Sequence, residues 1–398
     1  MAQWTVPLIY LDHHATTPVD ARVLEAMLPW FDREFGNAAS RTHAYGWRAE
    51  AAVDVAREQI AAAIGARDAR EIVFTSGATE SNNLALLGVA RAGRTRGDHV
   101  VATAIEHSSV LEPCEALQRE GFAATLVPVD RDGRVDPGAV SAAIGERTLL
   151  VSAGWANGEI GTLQPIAAVA EACHARGVLL HSDAAQAVGK VPVDVAAGVD
   201  LLSFSAHKIY GPKGVGALWI RSGRPRVRIE PLFFGGGHEN GLRPGTLPVP
   251  LIVGFGRAVE IAVAERANEA ARLLALRERL LAQLRDTLTG ITEHGHQSER
   301  LPGNLNLAFD GVQADALLAG LRDVALSTGS ACASSNAEPS HVLVALGLPD
   351  SVVRGSVRIG LGRGTTKAEI DAAATAIIAA VRMLRVEPVN AQRSAPSA

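Results

Sequence analysis

The stretch "VLLHSDAAQAVGK", residues 178–190, changes abruptly from apolar to polar residues after Leu180. Its first half has the short β-rich pattern of a buried strand, and a helical stretch, "IAAVAEACHARG" (166–177), comes directly before it. The same alternation of strand and helix extends in both directions, from about residue 71 to residue 220. It predicts an α/β fold: a mostly parallel sheet with helices on both faces.

Six runs in this region are predicted to be strands, and two further stretches are predicted to be helices. The strands are "EIVFTSG" (71–77), "HVVATAIEH" (99–107), "ATLVPVD" (124–130), "TLLVSAGW" (148–155), "VLLHSDAA" (178–185) and "DLLSFSAH" (200–207). The further helices are "ATESNNLALLGVARAG" (78–93) and "SVLEPCEALQREG" (109–121). Ligands collect at the carboxyl ends of strands in such sheets, so the residues that follow each run are the first candidates for a site.

After the sheet region the pattern changes. A long helical stretch rich in Ala, Leu, Arg and Glu covers residues 250–290, and the short strands "NLNLAF" (304–309) and "SVRIGLG" (356–362) follow it. A final helix is predicted to begin at Thr366, where Thr366 and Glu369 make a capping box. We therefore expect a large domain over 16–260, a small α+β domain over 1–15 and 261–385, and a disordered tail over 386–398.

Composition and charge exclude several classes of protein. The 398-residue chain has a net charge of −4, and so lacks the excess of positive charge that is typical of proteins that bind nucleic acid directly. Its N-terminal stretch lacks a basic region, and its apolar run is too short for a signal peptide or a membrane span. Three cysteines suit free thiols in a reducing compartment, and Cys114 and Cys173 lie in helical stretches as packing residues. We expect a cytoplasmic protein without a metal site.

Lysine is rare in this chain. Only four of its 38 basic residues are lysines: Lys190, Lys208, Lys213 and Lys367. Arginine stays protonated and cannot form an imine, so a reactive amine must come from these four. Lys208 is the one that directly follows a buried-strand pattern, in "SFSAHKIYGPKG" (203–214). It is the candidate for a Schiff base, with a phosphate-binding or surface lysine as the alternative.

Other strand ends also carry polar groups. Asp183 either caps the next helix or pairs with a cation such as a protonated pyridine nitrogen. His107 ends another strand, where a lone histidine is more often a structural hydrogen-bonding group, and Asn157 ends a third. The stretch "FTSGATES" (74–81) starts a helix near Thr79, where backbone amides and hydroxyls suit a phosphate; a simple capped turn is the alternative.

Three more features are candidates for function. In "STGSACASSNAEPS" (327–340), Cys332 lies in a polar run without hydrophobic period, as either an accessible nucleophilic thiol or an incidental surface thiol. Arg358 lies in a short apolar strand and needs an anion, which is either an internal carboxylate or that of a substrate. The long loop "FFGGGHENGLRPGTLPVP" (233–250), with Thr246, is either functional or a connector.

Together these motifs resemble those of the cysteine desulfurases, which are class V, fold-type I pyridoxal-phosphate enzymes. Any one motif is weak evidence, but so many in the same order are highly specific. The resemblance implies the fold of the fold-type I pyridoxal-phosphate-dependent transferases and the cofactor pyridoxal 5'-phosphate. The motifs are "YLDHHATTPVD" (10–20), "FGNAASRTHAYGWRAE" (35–50), "EIVFTSGATESNNLALLG" (71–88), "DAAQAVGK" (183–190), "FSAHKIYGPKGVGAL" (204–218), "GLRPGTLPV" (241–249), "STGSACASS" (327–335) and "VRIGLGR" (357–363).

The resemblance implies a role for each residue that would contact the cofactor ring. Lys208 matches the lysine that binds the cofactor covalently, and Asp183 matches the partner of the pyridinium nitrogen. His107 matches the imidazole that stacks on the ring. Gln186 and Asn157 match residues that contact the ring hydroxyl.

The resemblance also implies a phosphate site and a homodimer. Thr79, Ser205 and His207 match the residues that surround the cofactor phosphate. Thr246 matches a residue that reaches the phosphate bound by the other subunit. The homodimer is thus an expectation that follows from the family and not from composition.

The implied reaction converts L-cysteine to L-alanine. Asn37 and Arg358 match the residues that bind the substrate carboxylate, and Cys332 matches the nucleophile that takes the sulfur as a persulfide. A sulfur-acceptor protein then receives it, for iron–sulfur assembly, tRNA thiolation or DNA phosphorothioation. The alternatives are another class V enzyme, such as a selenocysteine lyase or an aminotransferase, and a non-catalytic scaffold or sulfur carrier.

Overall fold

A computed structural model of the chain describes residues 9–223, 226–329 and 339–386. The strands within these ranges are β1 (Ile9–Tyr10), β2 (Ile72–Thr75), β3 (His99–Thr103), β4 (Ala123–Val127), β5 (Thr148–Ser152), β6 (Leu179–Asp183), β7 (Leu201–Ser205), β8 (Gly216–Ile220), β9 (Ile291–Glu293), β10 (Asn304–Phe309), β11 (Val324–Ala325) and β12 (Ser356–Gly360). The α-helices are α1 (Ala21–Met27), α2 (Pro29–Asp32), α3 (Ala44–Ala63), α4 (Ala78–Gly93), α5 (Ser108–Arg119), α6 (Pro137–Ala143), α7 (Ile166–His174), α8 (Val249–Thr287), α9 (Ala314–Gly320), α10 (His341–Ala345), α11 (Asp350–Arg354) and α12 (Lys367–Val386). Short 3-10 helices cover Ala69–Glu71, Val195–Ala197, Ala206–Lys208 and Glu239–Gly241.

The chain divides into two compact units. The large unit consists of Thr16–Asn157 and Thr162–Ala267, and the small unit consists of Met1–Ala15, Gly158–Gly161 and Asn268–Ala398. The division therefore falls within α8. None of the helices in the described part of the chain is long and apolar enough to cross a membrane. Of the tail expected to be disordered, Val386 ends α12 and residues 387–398 lie outside the described residues.

The sheet of the large unit has seven strands among the described residues, in the order β2-β8-β7-β6-β5-β3-β4. Strands β7, β6, β5, β3 and β4 run parallel, and β8 is antiparallel to both β2 and β7. The α/β fold with a mostly parallel sheet is confirmed, and each of the six predicted strands is present. The sequence patterns do not predict β8, which is a short run directly after a turn with Pro212 and Gly214.

Burial explains why these strands read as continuous apolar runs. All five residues of β5 and all five of β7 are buried, as expected for central strands that are covered on both faces. Phe204 on β7 and Phe255 on α8 are both fully buried, with ring centroids 5.6 Å apart. The sheet and helix are thus held together by an apolar core in the large unit.

Gly216, the first residue of β8, lies where two segments of backbone nearly touch. A Cβ atom at this position would lie 2.6 Å from the Cα of Gly77 and 2.7 Å from the carbonyl oxygen of Phe204. Side chains do not fit at such distances, so only glycine lets β8 pass beside the turn that precedes α4. The position of that turn matters because it opens the helix that carries Thr79.

The small unit has an α+β arrangement of helices and short strands. Strand β10 is flanked by β12 and β9, both antiparallel to it, and β1 pairs in parallel with β11. Leu305 and Leu307 of β10 are fully buried in its core. The backbone N–H of Glu369 donates to the Thr366 hydroxyl at 3.2 Å, and the Thr366 N–H donates to the Glu369 carboxylate at 2.7 Å. The predicted capping box at the start of α12 is therefore confirmed.

Candidate active site

Four neighbouring parallel strands deliver polar residues to one edge of the large sheet. Lys208 follows β7, Asp183 ends β6, Asn157 follows β5 and His107 follows β3. These strands are adjacent in the order β7-β6-β5-β3, so their carboxyl ends meet at the same edge. That edge is where open α/β sheets bind ligands. The structure therefore brings together the groups that the sequence singled out one by one.

Both carboxylate oxygens of Asp183 accept hydrogen bonds. Asn82 donates from Nδ2 to Oδ2 at 2.7 Å, and the backbone N–H of Ala185 donates to Oδ1 at 2.8 Å. The residues after Asp183 form turns and not the helix that the capping alternative requires. Two donors, one on each oxygen, therefore hold this carboxylate in one orientation.

His107 is the N-cap of α5. Its Nδ1 accepts a hydrogen bond from the backbone N–H of Ser109 at 3.1 Å and lies 2.8 Å from the Ser109 hydroxyl oxygen. Ser109 is buried and also accepts from Nδ2 of Asn82 at 2.8 Å. Asn82 thus joins Asp183 to His107 through Ser109, a link between two chain segments that no local pattern reveals.

Lys208 ends the 3-10 helix Ala206–Lys208 and is half-buried. Two residues later, Tyr210 is buried and adopts a φ of 66°, which is rare for a residue with a side chain. The Thr17 hydroxyl accepts from the N–H of Tyr210 at 2.8 Å and donates to the carbonyl of His207 at 2.9 Å. A strained and tightly bonded turn therefore follows the predicted reactive lysine, as is common at functional sites.

Three of the four lysines lower the pKa of His207. The pKa of His207 is about 4, well below its usual range, chiefly because the ring is buried. The positive charges of Lys208, Lys213 and Lys190 lower this pKa further. Its Nδ1 lies 3.1 Å from the hydroxyl of Thr16. The site therefore combines a neutral imidazole with positive charge, which suits a phosphate monoester.

The residues predicted to surround a phosphate fit such a group. The Oγ of Ser205 is buried and has no hydrogen-bond partner among the residues that the structure describes. A buried hydroxyl without a partner is costly, and a phosphate oxygen would satisfy it. Thr79 is exposed in the first turn of α4, where no side chain caps the helix at Gly77. Backbone N–H groups at that helix terminus would bind the same anion.

Gln186 and Asn157 are both tied to neighbouring groups. Lys190 donates from Nζ to Oε1 of Gln186 at 2.7 Å, and because an ammonium group only donates, the oxygen of that amide must face Lys190. Asn157 donates from Nδ2 to the carbonyl oxygen of Ile105 at 3.0 Å. These bonds orient both amides at the sheet edge.

Two of the predicted residues lie on exposed loops of the large unit. Thr246 is exposed in the Gly-rich loop, and Asn37 is exposed before α3. The side-chain oxygen of Asn37 accepts from the backbone N–H of Ala39 at 2.9 Å. Within the described ranges neither residue has a hydrogen bond to the groups at the sheet edge.

Arg358, on β12 of the small unit, has an internal carboxylate as its partner. It is buried, and its Nη2 lies 2.8 Å from Oδ1 of Asp12. Nη1 donates to the carbonyl oxygens of Gly158 and Gly329 at 3.3 and 3.2 Å. The Nε is buried and has no partner within the described chain. One of the two alternatives from the sequence is thus present, and the guanidinium retains an unused donor.

The three cysteines differ in what the structure describes. Cys114 on α5 and Cys173 on α7 are buried, and burial raises the pKa of each thiol to about 12. Both are packing residues, as predicted, because a thiol with so high a pKa is inert at neutral pH. Cys332 lies outside the described residues. Within the described residues no three His, Cys, Asp or Glu side chains are grouped so that they could hold a metal ion.

The sequence patterns did not identify one buried histidine near this edge of the sheet. His181 is fully buried on β6, with Nδ1 2.9 Å from the hydroxyl of Ser152 on β5 and Nε2 2.9 Å from that of Ser203 on β7. Its pKa is about 4, chiefly because of burial, so this ring is neutral. Its position two residues before Asp183 on the same strand was the available signal. Its two hydrogen bonds link β5, β6 and β7 beside the site.

Comparisons with known proteins, by family model, by sequence and by structure, give consistent results. The family model described as Aminotransferase class-V matches residues 9–373. The cysteine desulfurase IscS of Anaeromyxobacter sp. (strain Fw109-5) is 53% identical over 378 residues, which are 95% of this chain and 93% of that protein. A solved NifS-like protein is 37% identical with a TM-score of 0.88, over 94% of this chain and all of that one. DndA from Streptomyces lividans is 45% identical with a TM-score of 0.76, over 87% and 97% of the two chains.

Proposed function

Because the chain belongs to the class-V aminotransferase family and is a cysteine desulfurase within it, we propose that Lys208, Asp183 and His107 form its reaction centre. The observation that carries this assignment is the meeting of these residues at the carboxyl ends of adjacent parallel strands. The reaction takes sulfur from L-cysteine and leaves L-alanine. Bound pyridoxal 5'-phosphate would supply an electron sink for the substrate Cα, which no side chain provides.

The residues of the large unit would hold this cofactor by three kinds of contact. Ser205, with its buried Oγ, and Thr79, at the helix terminus, would bind the phosphate beside the neutral ring of His207. Asp183 would pair with the pyridinium nitrogen, and the Asn82 donor already holds its carboxylate for that contact. Lys208 would bind the cofactor through its amine.

Three side chains would orient the ring and the substrate. His107 would stack on the ring, and its position is fixed by its bonds to Ser109. Gln186 would present its NH2 group to the ring hydroxyl because Lys190 occupies its oxygen. Asn157 would contact the same hydroxyl. Once substrate binds, Lys208 would carry the proton that leaves and returns at Cα.

Arg358 and Asn37 are proposed to bind the substrate carboxylate. The buried Nε of Arg358 is a donor still without a partner among the described residues, and Asp12 holds the guanidinium in place. Arg358→Lys keeps the charge and loses the planar fork, so we expect a KM for L-cysteine at least about tenfold higher with a smaller change in kcat. Steady-state kinetics on Arg358→Lys and Asp12→Asn would measure this.

Cys332 is proposed to be the sulfur acceptor within the chain. Its thiolate would attack the substrate sulfur, so that an S–S bond forms as the substrate C–S bond breaks and a proton is delivered to the substrate Cβ. The sum is L-cysteine plus the Cys332 thiol giving L-alanine plus a Cys332 persulfide, which balances without an added oxidant. The persulfide would then pass its outer sulfur to a sulfur-acceptor protein.

A homodimer is supported by apolar side chains at the surface of the large unit. Leu28, Phe31, Phe35 and Trp47 of α1–α3 and their connections are each more than half exposed. Phe234, in the loop that carries Thr246, is 83% exposed. The ring of Phe35 also lies against that of Tyr45, with centroids 5.3 Å apart, and exposed apolar groups that cluster in this way are typical of a protein interface. In the proposed dimer Thr246 would contact the phosphate that the other subunit binds.

The downstream role is proposed at the level of chemistry. The acceptor is a protein thiol, and the net charge of −4 supports no direct contact with nucleic acid. Iron–sulfur assembly, tRNA thiolation and DNA phosphorothioation all use sulfur delivered in this form. The free thiols of Cys114 and Cys173 support a location in the reducing cytoplasm.

The decisive experiment gives purified protein L-cysteine without reductant. Intact mass spectrometry should find one added sulfur on the peptide with Cys332, and the alanine formed should match it in amount. Cys332→Ser should keep bound cofactor and lose the adduct, whereas Cys114→Ala, the matched control, should keep both. Pyruvate or an amino-exchange product in place of alanine would refute the proposal in favour of a lyase or an aminotransferase.

A further inference from the structure

Asn82 is a fully buried asparagine on α4, and its side chain bonds to two groups of the proposed reaction centre. Nδ2 lies 2.7 Å from Oδ2 of Asp183, which is 101 positions away in the sequence, and 2.8 Å from Oγ of Ser109. Its Oδ1 is buried without a hydrogen-bond partner among the described residues. A buried amide oxygen without a partner destabilises the folded protein, and an apolar residue would avoid this destabilisation. What asparagine adds at this position is therefore its NH2 group, which donates both hydrogen bonds.

The direction of these hydrogen bonds follows from chemistry. An ionised carboxylate only accepts, so the Asn82 atom that faces Asp183 must be the NH2 group and not the oxygen. The two hydrogens of that group are then both used, one on Asp183 and one on Ser109. Ser109 therefore accepts with its oxygen and has a single hydrogen left to give.

That remaining hydrogen points to His107. The Ser109 hydroxyl lies 2.8 Å from Nδ1 of His107, and the Ser109 backbone N–H donates to the same nitrogen at 3.1 Å. With two donors directed at it, Nδ1 has no room for a proton of its own. The proton of the neutral ring therefore lies on Nε2.

We propose that Asn82 is a positioning residue that orients the Asp183 carboxylate and, through Ser109, fixes His107 as its Nε2–H tautomer. This inference rests on the proposed function, because it concerns residues assigned there to the cofactor. Asn82 itself touches neither cofactor nor substrate in this assignment. Its effect is transmitted only through Asp183 and Ser109.

A double-mutant cycle separates positioning from general stability. In the otherwise native enzyme, Asn82→Leu should raise the dissociation constant for pyridoxal 5'-phosphate about tenfold, the loss of one hydrogen bond to a charged group. In an Asp183→Asn background the same change should alter the constant less than about twofold, because no carboxylate remains to orient. Equal losses in both backgrounds would overturn the proposal, since a merely structural role would act in each.

The matched control is Asn306→Leu on β10 of the small unit. Asn306 is also fully buried with an Oδ1 that lacks a partner in the described chain, so it reproduces the loss of a buried amide away from Asp183. It should leave the dissociation constant for the cofactor unchanged within about twofold. If Asn82→Leu does not fold, Asn82→Ala removes the same donor with less apolar bulk and carries the same comparison.

The tautomer gives a second readout that does not depend on activity. Nitrogen-15 NMR of histidine-labelled enzyme, with His107 assigned through His107→Gln, should find the neutral ring protonated on Nε2. Protonation on Nδ1 would overturn the proposed donor chain, which is the series of hydrogen bonds from Asn82 to Ser109 and from Ser109 to His107. If the native protein binds no pyridoxal phosphate, the proposed function fails, and the tautomer read on that same protein still decides whether the donor chain exists.

Discussion

Glu106, which precedes His107, is a carboxyl group that the fold removes from water. Its side chain is 3% exposed, and burial is the main reason that its pKa rises from 4.5 to about 7. The hydroxyl of Thr103 at 2.5 Å and the N–H of Gly154 at 2.8 Å act in the opposite direction and do not cancel it. The charge of Asp183 raises the pKa of Glu106 further.

The sign of the effect on stability follows from proton binding. Between pH 4.5 and 7 the unfolded chain has released this proton while the folded protein keeps it, so the free energy of unfolding falls by about 1.4 kcal/mol per pH unit. The stabilisation is therefore fully present below pH 4.5 and is lost as the pH rises through 7. Over this window the change amounts to about 3 kcal/mol.

Glu106→Gln removes the titration and keeps an acceptor oxygen. Equilibrium urea unfolding of both apoproteins at a fixed protein concentration, from pH 4.5 to 8, gives the difference in free energy of unfolding at each pH. We expect wild type to lose about 3 kcal/mol relative to Glu106→Gln across this range. His181, whose low pKa acts with the opposite sign below pH 6.5, is present in both proteins and cancels in the difference.

The control is Glu171→Gln, which makes the same substitution at an exposed glutamate on α7 and should not reproduce the change of about 3 kcal/mol that burial of Glu106 predicts. Infrared spectroscopy should also find the carbonyl band of a protonated carboxyl in wild type at pH 6 and not in Glu106→Gln. Parallel stability curves for wild type and Glu106→Gln would refute the reasoning, because they would mean that the folded and unfolded states bind this proton equally.

Three further changes test other contacts in the large unit. Gly216→Ala should weaken binding of pyridoxal phosphate about tenfold, because its Cβ would displace Gly77 at the start of α4, and a fluorescence titration would measure it. Glu239→Gln should cost about 3 kcal/mol in urea unfolding, since it breaks the buried ion pair with Arg57 at 2.7 Å, and limited proteolysis should then cut the Gly-rich loop faster. Phe255→Ala should cost about 3–5 kcal/mol in the same assay by opening a cavity in the core.

Each of these has an outcome that contradicts it. Unchanged cofactor affinity in Gly216→Ala would mean that the turn at Gly77 does not contribute to phosphate binding. A Glu239→Gln protein as stable as wild type would mean that the pair is solvated. A loss below about 1 kcal/mol in Phe255→Ala would mean that the core collapses around the deleted ring.

Much of the fold could be read from local patterns. Helix α4 occupies the predicted range 78–93, and α8 occupies Val249–Thr287 against an expected 250–290. Strand runs are recognisable because both faces are covered, and the Thr366 capping box marks the start of α12. These features depend on residues a few positions apart, which is the range that periodicity and caps report.

The partners of the site residues could not be read in this way. The sequence left the anion for Arg358 undecided between an internal carboxylate and a substrate, and the structure supplies Asp12 from 346 positions away. The donor to Asp183 comes from a helix that the pattern shows only as amphipathic. Side chains that meet across such distances leave no periodic signal, so their pairing depends on the packed fold.

The sequence by itself determined the α/β alternation, the short list of reactive amines and the polar residues at the strand ends, because each follows from local spacing or composition. Only the tertiary structure decided that Asn82 bonds to Asp183, that three lysines act on His207 and that Glu106 keeps its proton to about pH 7. The physical reason is that burial and electrostatics depend on distance in space. That distance is set when the strands pack side by side, and not by position along the chain.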